Sequence, residues 1–180
     1  MDNYSKDTKK DKSKLLILLM FAITLAAVCV TIWALFFRSP AQVLSPDYAP
    51  IEEEKYAESI PNDSGEKSKS EEGGGSVSLT YSNQVFIDLS DRKASMHFAN
   101  PGRSNQDMVV QVLIQDVMIV QSGTLKPGNQ VTALDLLEGA AEKLTPGGYD
   151  GKFAVFYYSP DNGEKAIVNT EIPIQIAVSE

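Results

Sequence analysis

Apolar and polar positions along this chain follow two patterns, separated by a stretch that follows neither. From Leu15 to Phe37 the run LLILLMFAITLAAVCVTIWALFF carries no charge. About 23 such residues make a helix of ~34 Å, enough for a hydrocarbon core of ~30 Å. A buried helix of a globular protein would show a polar stripe, whereas only Thr24 and Thr31 interrupt this one, and their hydroxyls can bond back to their own helix. The pattern predicts a transmembrane helix over 15–37, with Leu15 at one end and Trp33 and Phe37 suited to the interfacial belt at the other.

After Gly75 the period changes to two. Val77, Leu79 and Tyr81 share one face of a short strand, and Val85, Ile87 and Leu89 share one face of the next. Ala94, Met96 and Phe98 point inward from a third strand, which turns His97 toward solvent. Met108 to Ile114 and Val117 to Gln121 flank Gln115-Asp116, read as a two-residue hairpin turn. Lys152 to Tyr158 and Ala166 to Val178 flank Pro160-Asp161-Asn162-Gly163, a strong turn sequence. Ile172, Ile174, Ile176 and Val178 line one face of the last strand, and Pro173, lacking an N–H, points that strand to a sheet edge. Tyr157 and Tyr158 straddle two faces, so one of them is expected to be exposed. Leu134, Leu137, Ala141 and Leu144 recur at helical spacing, but Gly139 limits a helix there to a turn or two. Seven or eight short strands in residues 76–180, with turns every ~8–12 residues, predict an all-β domain, a β-sandwich with one short crossover helix.

Between the two patterns, residues 38–75 contain Pro40, Pro46, Pro50 and Pro61, the acidic run Glu52-Glu53-Glu54 and the triplet Gly73-Gly74-Gly75. Low hydrophobicity and turn residues leave little to bury, so this stretch is read as a disordered acidic linker. Residues 1–14 are then a short tail. Asn62-Asp63-Ser64 matches the N-glycosylation pattern, which a polar stretch also produces by chance.

Charge settles orientation and removes one class of partner. Lys6, Lys9, Lys10, Lys12 and Lys14 precede the apolar run and only Arg38 follows closely. The positive-inside rule therefore places the N-terminus in the cytoplasm and the C-terminal domain outside the cell membrane, which the chain crosses once. The run exceeds the h-region of a signal peptide, and Ile32-Trp33-Ala34 is a poor cleavage site. Val28 before Cys29 does not suit lipoprotein processing, and Cys29 reads as an apolar filler. Ala22 and Ala26 form a small-xxx-small pair. The net charge of −8 argues against nucleic acid as a partner, since phosphate binding needs a basic stripe. As the only cysteine, Cys29 allows no intrachain disulfide.

Catalytic residues are not expected. One histidine and no cysteine outside the apolar run leave a triad resting on His97 alone, and an outward strand residue is a poor base. Zinc would need several His or Cys ligands. Asp88 and Asp91, and the run Asp161-Asn162-Gly163-Glu164, do not supply the oxygen series of a calcium loop. No cofactor is expected, because no glycine-rich phosphate loop opens a helix. What remains is recognition by a loop: Asn100-Pro101-Gly102-Arg103-Ser104-Asn105-Gln106-Asp107 is the longest polar connection, and Asn100, Arg103 and Asn105 are its candidate contact residues.

Leu144-Thr145-Pro146-Gly147-Gly148-Tyr149 resembles the turn that enters the penultimate strand of fibronectin-III and immunoglobulin-like domains. The resemblance implies that Tyr149 is the tyrosine of a tyrosine corner, its hydroxyl bonding back to nearby backbone. Leu125-Lys126-Pro127-Gly128 before Val131 resembles an edge turn of the same sandwiches. Anchor, acidic linker and sandwich together are similar to small single-pass surface proteins of Gram-positive bacteria. The resemblance implies a non-catalytic interaction or structural module of the cell envelope, with an envelope protein or wall component as partner. An accessory sandwich that binds carbohydrate or inhibits a protease is the alternative, and a hydrolase the third reading. Fold does not decide among them.

Overall fold

The computed structural model describes residues 14, 17–28, 46–63, 65, 67–69 and 75–180, in two compact units, Met1–Ala41 and Gln42–Glu180. In the first, residues 17–28 are helical. Thr24 Oγ1 donates to the carbonyls of Met20 (3.1 Å) and Phe21 (2.9 Å) of its own helix. Among the described residues no helix is long and apolar enough to cross a membrane. Much of the span expected at 15–37, including Leu15, Cys29, Trp33 and Phe37, lies outside the described residues.

The second unit is all-β. Its strands are β1 (Glu58–Ser59), β2 (Thr80–Tyr81), β3 (Gln84–Asp88), β4 (Lys93–Asn100), β5 (Asp107–Ile114), β6 (Val117–Gln121), β7 (Asn129–Asp135), β8 (Gly147–Tyr158) and β9 (Lys165–Ser179). They run β1-β7-β4-β3-β9-β8-β5-β6 in one hydrogen-bonded path, with β2 against β4. Fifteen-residue β9 makes the path continuous: it pairs antiparallel with β8 along its length and parallel with β3 from Gln84↔Gln175 to Asp88↔Ser179. The sheet curls until its far ends meet, at the Val120↔Leu136 bridge and the Leu137 N–H to Ile119 carbonyl bond (2.9 Å). The sandwich expected from the sequence is thus one rolled sheet around a main core rather than two separate sheets.

Period-2 burial holds where the sheet has one wet face. In β9 Ile172, Ile174, Ile176 and Val178 are buried and the residues between them exposed. Val85 and Ile87 of β3, and Ala94, Met96 and Phe98 of β4, enter the same core, where Phe98 meets Phe153 edge to face at 5.7 Å. The β5–β6 hairpin turns at Gln115 and Asp116, with φ of 49° and 63°. Two successive positive φ values match the twist of the flanking strands without glycine, and Asp116 is held by an ion pair to Lys152 at 2.8 Å.

Four expectations need correction. Pro173 does not mark an edge strand, for β9 is internal. It lies just before the pairing with β3 begins at Gln175, whose N–H bonds the Asn83 carbonyl. Residues two apart share a side of the ladder, so the missing N–H falls where β9 has no described neighbour. The short crossover helix is present as a single 3-10 turn, Ala141–Lys143, within the turn or two expected. Leu134 is not part of it: it belongs to β7, only 1% exposed. Neither Tyr157 nor Tyr158 is exposed, at 2% and 0%. All eight residues of β5 are buried, because a second cluster of Val109, Leu113, Ala154, Phe156 and Tyr158 fills the other face, joined by Met118 and by Ala49 from upstream.

Ala49 belongs to the fourth correction. Residues 46–63, expected as disordered linker, are docked on the domain. Asp47 and Ala49 bracket Gly163–Lys165 with two backbone bonds of 2.8 Å, and Tyr158 donates its hydroxyl to the Pro46 carbonyl at 3.2 Å. Thr124 bonds Pro50 and Glu52 and accepts from the Glu54 N–H. β1 then pairs with β7. Glu54, only 8% exposed, accepts the N–H groups of Tyr56 (2.9 Å) and Gly123 (2.7 Å). Gly123 makes the approach possible: a Cβ there would come within 2.9 Å of the Glu54 nitrogen. This strap binds by backbone and carboxylate hydrogen bonds, which hydrophobic patterning does not register.

Candidate functional site

The loop between β4 and β5 was the expected recognition element, and its residues are largely turned inward. Asn100 is fully buried and spends both amide protons on the carbonyls of Gln106 (3.0 Å) and Leu125 (2.9 Å). Asn105 accepts the Ser76 N–H at 2.6 Å. Arg103 is exposed, but its Nε donates to Ser78 Oγ at 2.7 Å and its carbonyl accepts the Ser68 N–H at 2.8 Å. Gly102 gives its N–H to Asp63, and the amides of Gly102 and Gly65 hold that carboxyl below the usual carboxylate range. The structure brings Asn100, Arg103 and Asn105 into one loop tied down by its neighbours, with Arg103 the exposed member.

Other polar groups singled out by the sequence have structural partners. His97 is half-buried on the outer face of β4, opposite Met96 and Phe98. Asp88 accepts from Ser90 and from the Asp91 N–H, which keeps its carboxyl below its ordinary value. Asn162, in the stretch compared with a calcium loop, accepts the Glu164 N–H at 3.0 Å, as in an ordinary turn. No group of three or more His, Cys, Asp or Glu able to hold a metal occurs among the described residues. Asp107 differs: it is 7% exposed, and burial pushes its carboxyl above the usual range against the opposing charges of Lys126 and Lys67.

Tyr149 is half-buried and packs against the main core. Its hydroxyl donates to the Thr145 carbonyl at 2.8 Å and accepts the Thr145 N–H at 3.2 Å. The backward bond expected of a tyrosine corner is therefore present, four residues upstream, at the surface.

Sequence reading passed over the outer face of β7, β4, β3, β9 and β8. The registers Ala133↔Ser95, Ser95↔Phe86, Phe86↔Ala177 and Ala177↔Gly148 define one transverse row across five strands. Phe86 is its only large side chain and stands 57% exposed. Alongside, Gln84 pairs with Gln175, whose amide donates to Asp150 at 2.8 Å. The signal was available, since the alternation that buries Val85 and Ile87 turns Phe86 outward.

No protein-family model matches the chain, nor does any curated protein. Among solved structures, the chain is similar to AggA, the major subunit of aggregative adherence fimbriae type I from Escherichia coli, at 11% identity and TM-score 0.29, over 59% of this chain and 96% of that one. A protein of unknown function from Porphyromonas gingivalis W83 aligns at 17% identity and TM-score 0.27, over 56% of this chain and 47% of its own. The CooA pilin subunit from enterotoxigenic E. coli aligns at 14% and 0.24, over 58% and 99%. At these scores the likenesses carry no argument about function.

Proposed function

We propose that this chain is a non-catalytic interaction or structural module of the bacterial cell envelope, anchored once in the cell membrane through residues 15–37 with its β domain outside the cytoplasm. The observation that carries the non-catalytic reading is the use of four of the domain's carboxylates. Glu54, Asp63, Asp88 and Asp135 are engaged in holding backbone amides, hydroxyls or a lysine in the fold, where an active site would leave such groups facing a cleft. The domain reads as immunoglobulin-like through the Tyr149 bond. Support for the anchor is the uncharged apolar run and the lysines before it. Protease added to intact spheroplasts should clip upstream of the domain and leave a folded fragment. Protection of that region until the membrane is lysed would overturn the orientation.

Phe86 favours a second reading, that of a carbohydrate-binding accessory domain. An aromatic ring on a face of small residues, beside the amides of Gln84 and Gln175, offers a stacking surface with hydrogen-bonding neighbours. Sedimentation of the full chain with purified cell-wall polysaccharide tests it. Binding lost in Phe86→Ala would establish this reading, and equal sedimentation of the two chains would remove it.

A further inference from the structure

The end of the domain where the chain emerges from its N-terminal side has an unusual surface. At the start of β9 the ladder is irregular: between Phe156↔Asn169 and Tyr158↔Lys165, β8 advances two residues while β9 advances four. Ala166, Ile167 and Val168 therefore bulge opposite Tyr157 alone. The bulge lifts Ile167 and Val168 off the domain, 104% and 66% exposed. Tyr48, 61% exposed, bridges to Glu164 and lines one shallow recess with Asp47, Lys165, Ala166 and Ile167. Lys165 is drawn back over the Phe156 ring at 4.8 Å. Two β-branched aliphatics and a tyrosine thus project together, with Asp47, Asp161 and Glu164 as the neighbouring carboxylates.

Chain length identifies what this tip meets. Only residues 38–45 separate the end of the apolar run from Pro46, and eight residues span at most about 29 Å when fully extended. Docking of residues 46–49 on the Gly163–Lys165 segment fixes the attachment point beside Ile167, so the tip cannot leave the vicinity of the membrane. We propose that Tyr48, Ile167 and Val168 form a contact surface for the lipid headgroup region. This rests on the anchored topology proposed above. Aromatic and aliphatic side chains suit the interface. The acidic neighbours specify a zwitterionic surface, because anionic lipid would repel them.

The test uses the full chain carrying Cys29→Ala, reconstituted in phosphatidylcholine nanodiscs and labelled with a fluorophore at Ile167→Cys. A second chain carries the label at Asp91→Cys, in the turn after β3. That turn adjoins the Ser179 end of β9, about 40 Å along the strand from Ile167. Headgroup-nitroxide lipid should quench the label at 167 several-fold more than the label at 91, and a label at Val168→Cys should behave like 167. Equal quenching at 167 and 91 in a chain that resists alkaline extraction would overturn the tip contact alone. Extraction of the chain by alkaline carbonate would overturn the anchor and the contact with it. Self-quenching that grows with the number of chains per disc, without a nitroxide effect, would assign the tip to a second copy and refute the lipid contact.

Discussion

The two sides of the rolled sheet bury their residues by different rules. Across β3 and the C-terminal half of β9 one face is packed and the other wet, so inward Val85, Ile87, Ile174 and Ile176 alternate with outward Gln84, Phe86 and Gln175. Across β5 and the end of β8 there is no alternation, because Met108, Val110 and Val112 enter the main core while Val109, Leu113 and Tyr158 fill a second one. The second side exists only because other chain covers it, and part of that cover is the strap 46–63. A proline-rich acidic segment can therefore complete a fold when its partners are backbone groups, since the free energy lies in satisfying amides that would otherwise be buried unpaired.

The sharpest way to break this contrast is to remove a ring from the covered side. Tyr158 is fully buried, so Tyr158→Ala should cost about 3–5 kcal/mol in denaturant unfolding, as for other large-to-small core changes. A cost near that of a surface residue would mean that the second cluster is not packed.

Next in size is the strap itself. In Gly123→Ala the new methyl would meet backbone atoms of Glu52, Glu53 and Glu54 at 2.9 to 3.0 Å. Overpacking of this kind costs roughly 1–3 kcal/mol, and the strap should take most of it by lifting away. Limited proteolysis should then cut between residues 50 and 60 in the variant before it cuts the wild type. Loss of stability without earlier cleavage would show that the strap is not what yields.

The same contrast marks how far the sequence could be read. Strand positions, the Gln115-Asp116 hairpin and the inward set of β9 follow from period and turn chemistry, both local properties. The exposure of Phe86 is equally local, since Phe86 alternates with the buried Val85 and Ile87. Burial of Tyr158 was not legible, because it depends on Ala49 and Met118 arriving from elsewhere in the chain, whereas Tyr157 enters the main core on the same face as Phe153 and Val155. Leu134 looked helical because a buried strand beside Leu136 and Leu137 imitates a 3.6-residue period over a short window. Of the candidate loop, its place between two strands was legible. That Asn100 faces inward to hold Leu125 was not, because the partner lies 25 residues away.

A smaller effect separates ring from hydroxyl at the edge between the two sides. Tyr149→Phe keeps the half-buried ring and deletes the hydroxyl's bonds to the carbonyl, N–H and side-chain hydroxyl of Thr145. That carbonyl belongs to an exposed residue and recovers water, so the loss should lie near ~0.5 kcal/mol, the low end for a hydrogen bond. A loss above about 2 kcal/mol would mean that the corner is sealed from solvent.

The smallest effect belongs to the wet face, and it gives the comparison its control. Phe86 is as aromatic as Tyr158 but more than half exposed, with small neighbours Ser95 and Ala177 as its direct register partners. Phe86→Ala therefore uncovers little apolar surface and creates no cavity. Its one intrinsic penalty is the lower strand propensity of alanine, part of a scale that spans only ~1 kcal/mol. Stability should shift by less than about 0.5 kcal/mol, as for surface substitutions away from special features. Measured beside Tyr158→Ala in the same unfolding assay, the two aromatic truncations should differ by several kcal/mol. If Phe86→Ala were comparably damaging, the outer face would have to be covered in the folded protein, and the division into a wet side and a strapped side would fall. If it is silent for stability, any loss of polysaccharide sedimentation in the same variant can be assigned to binding rather than to unfolding.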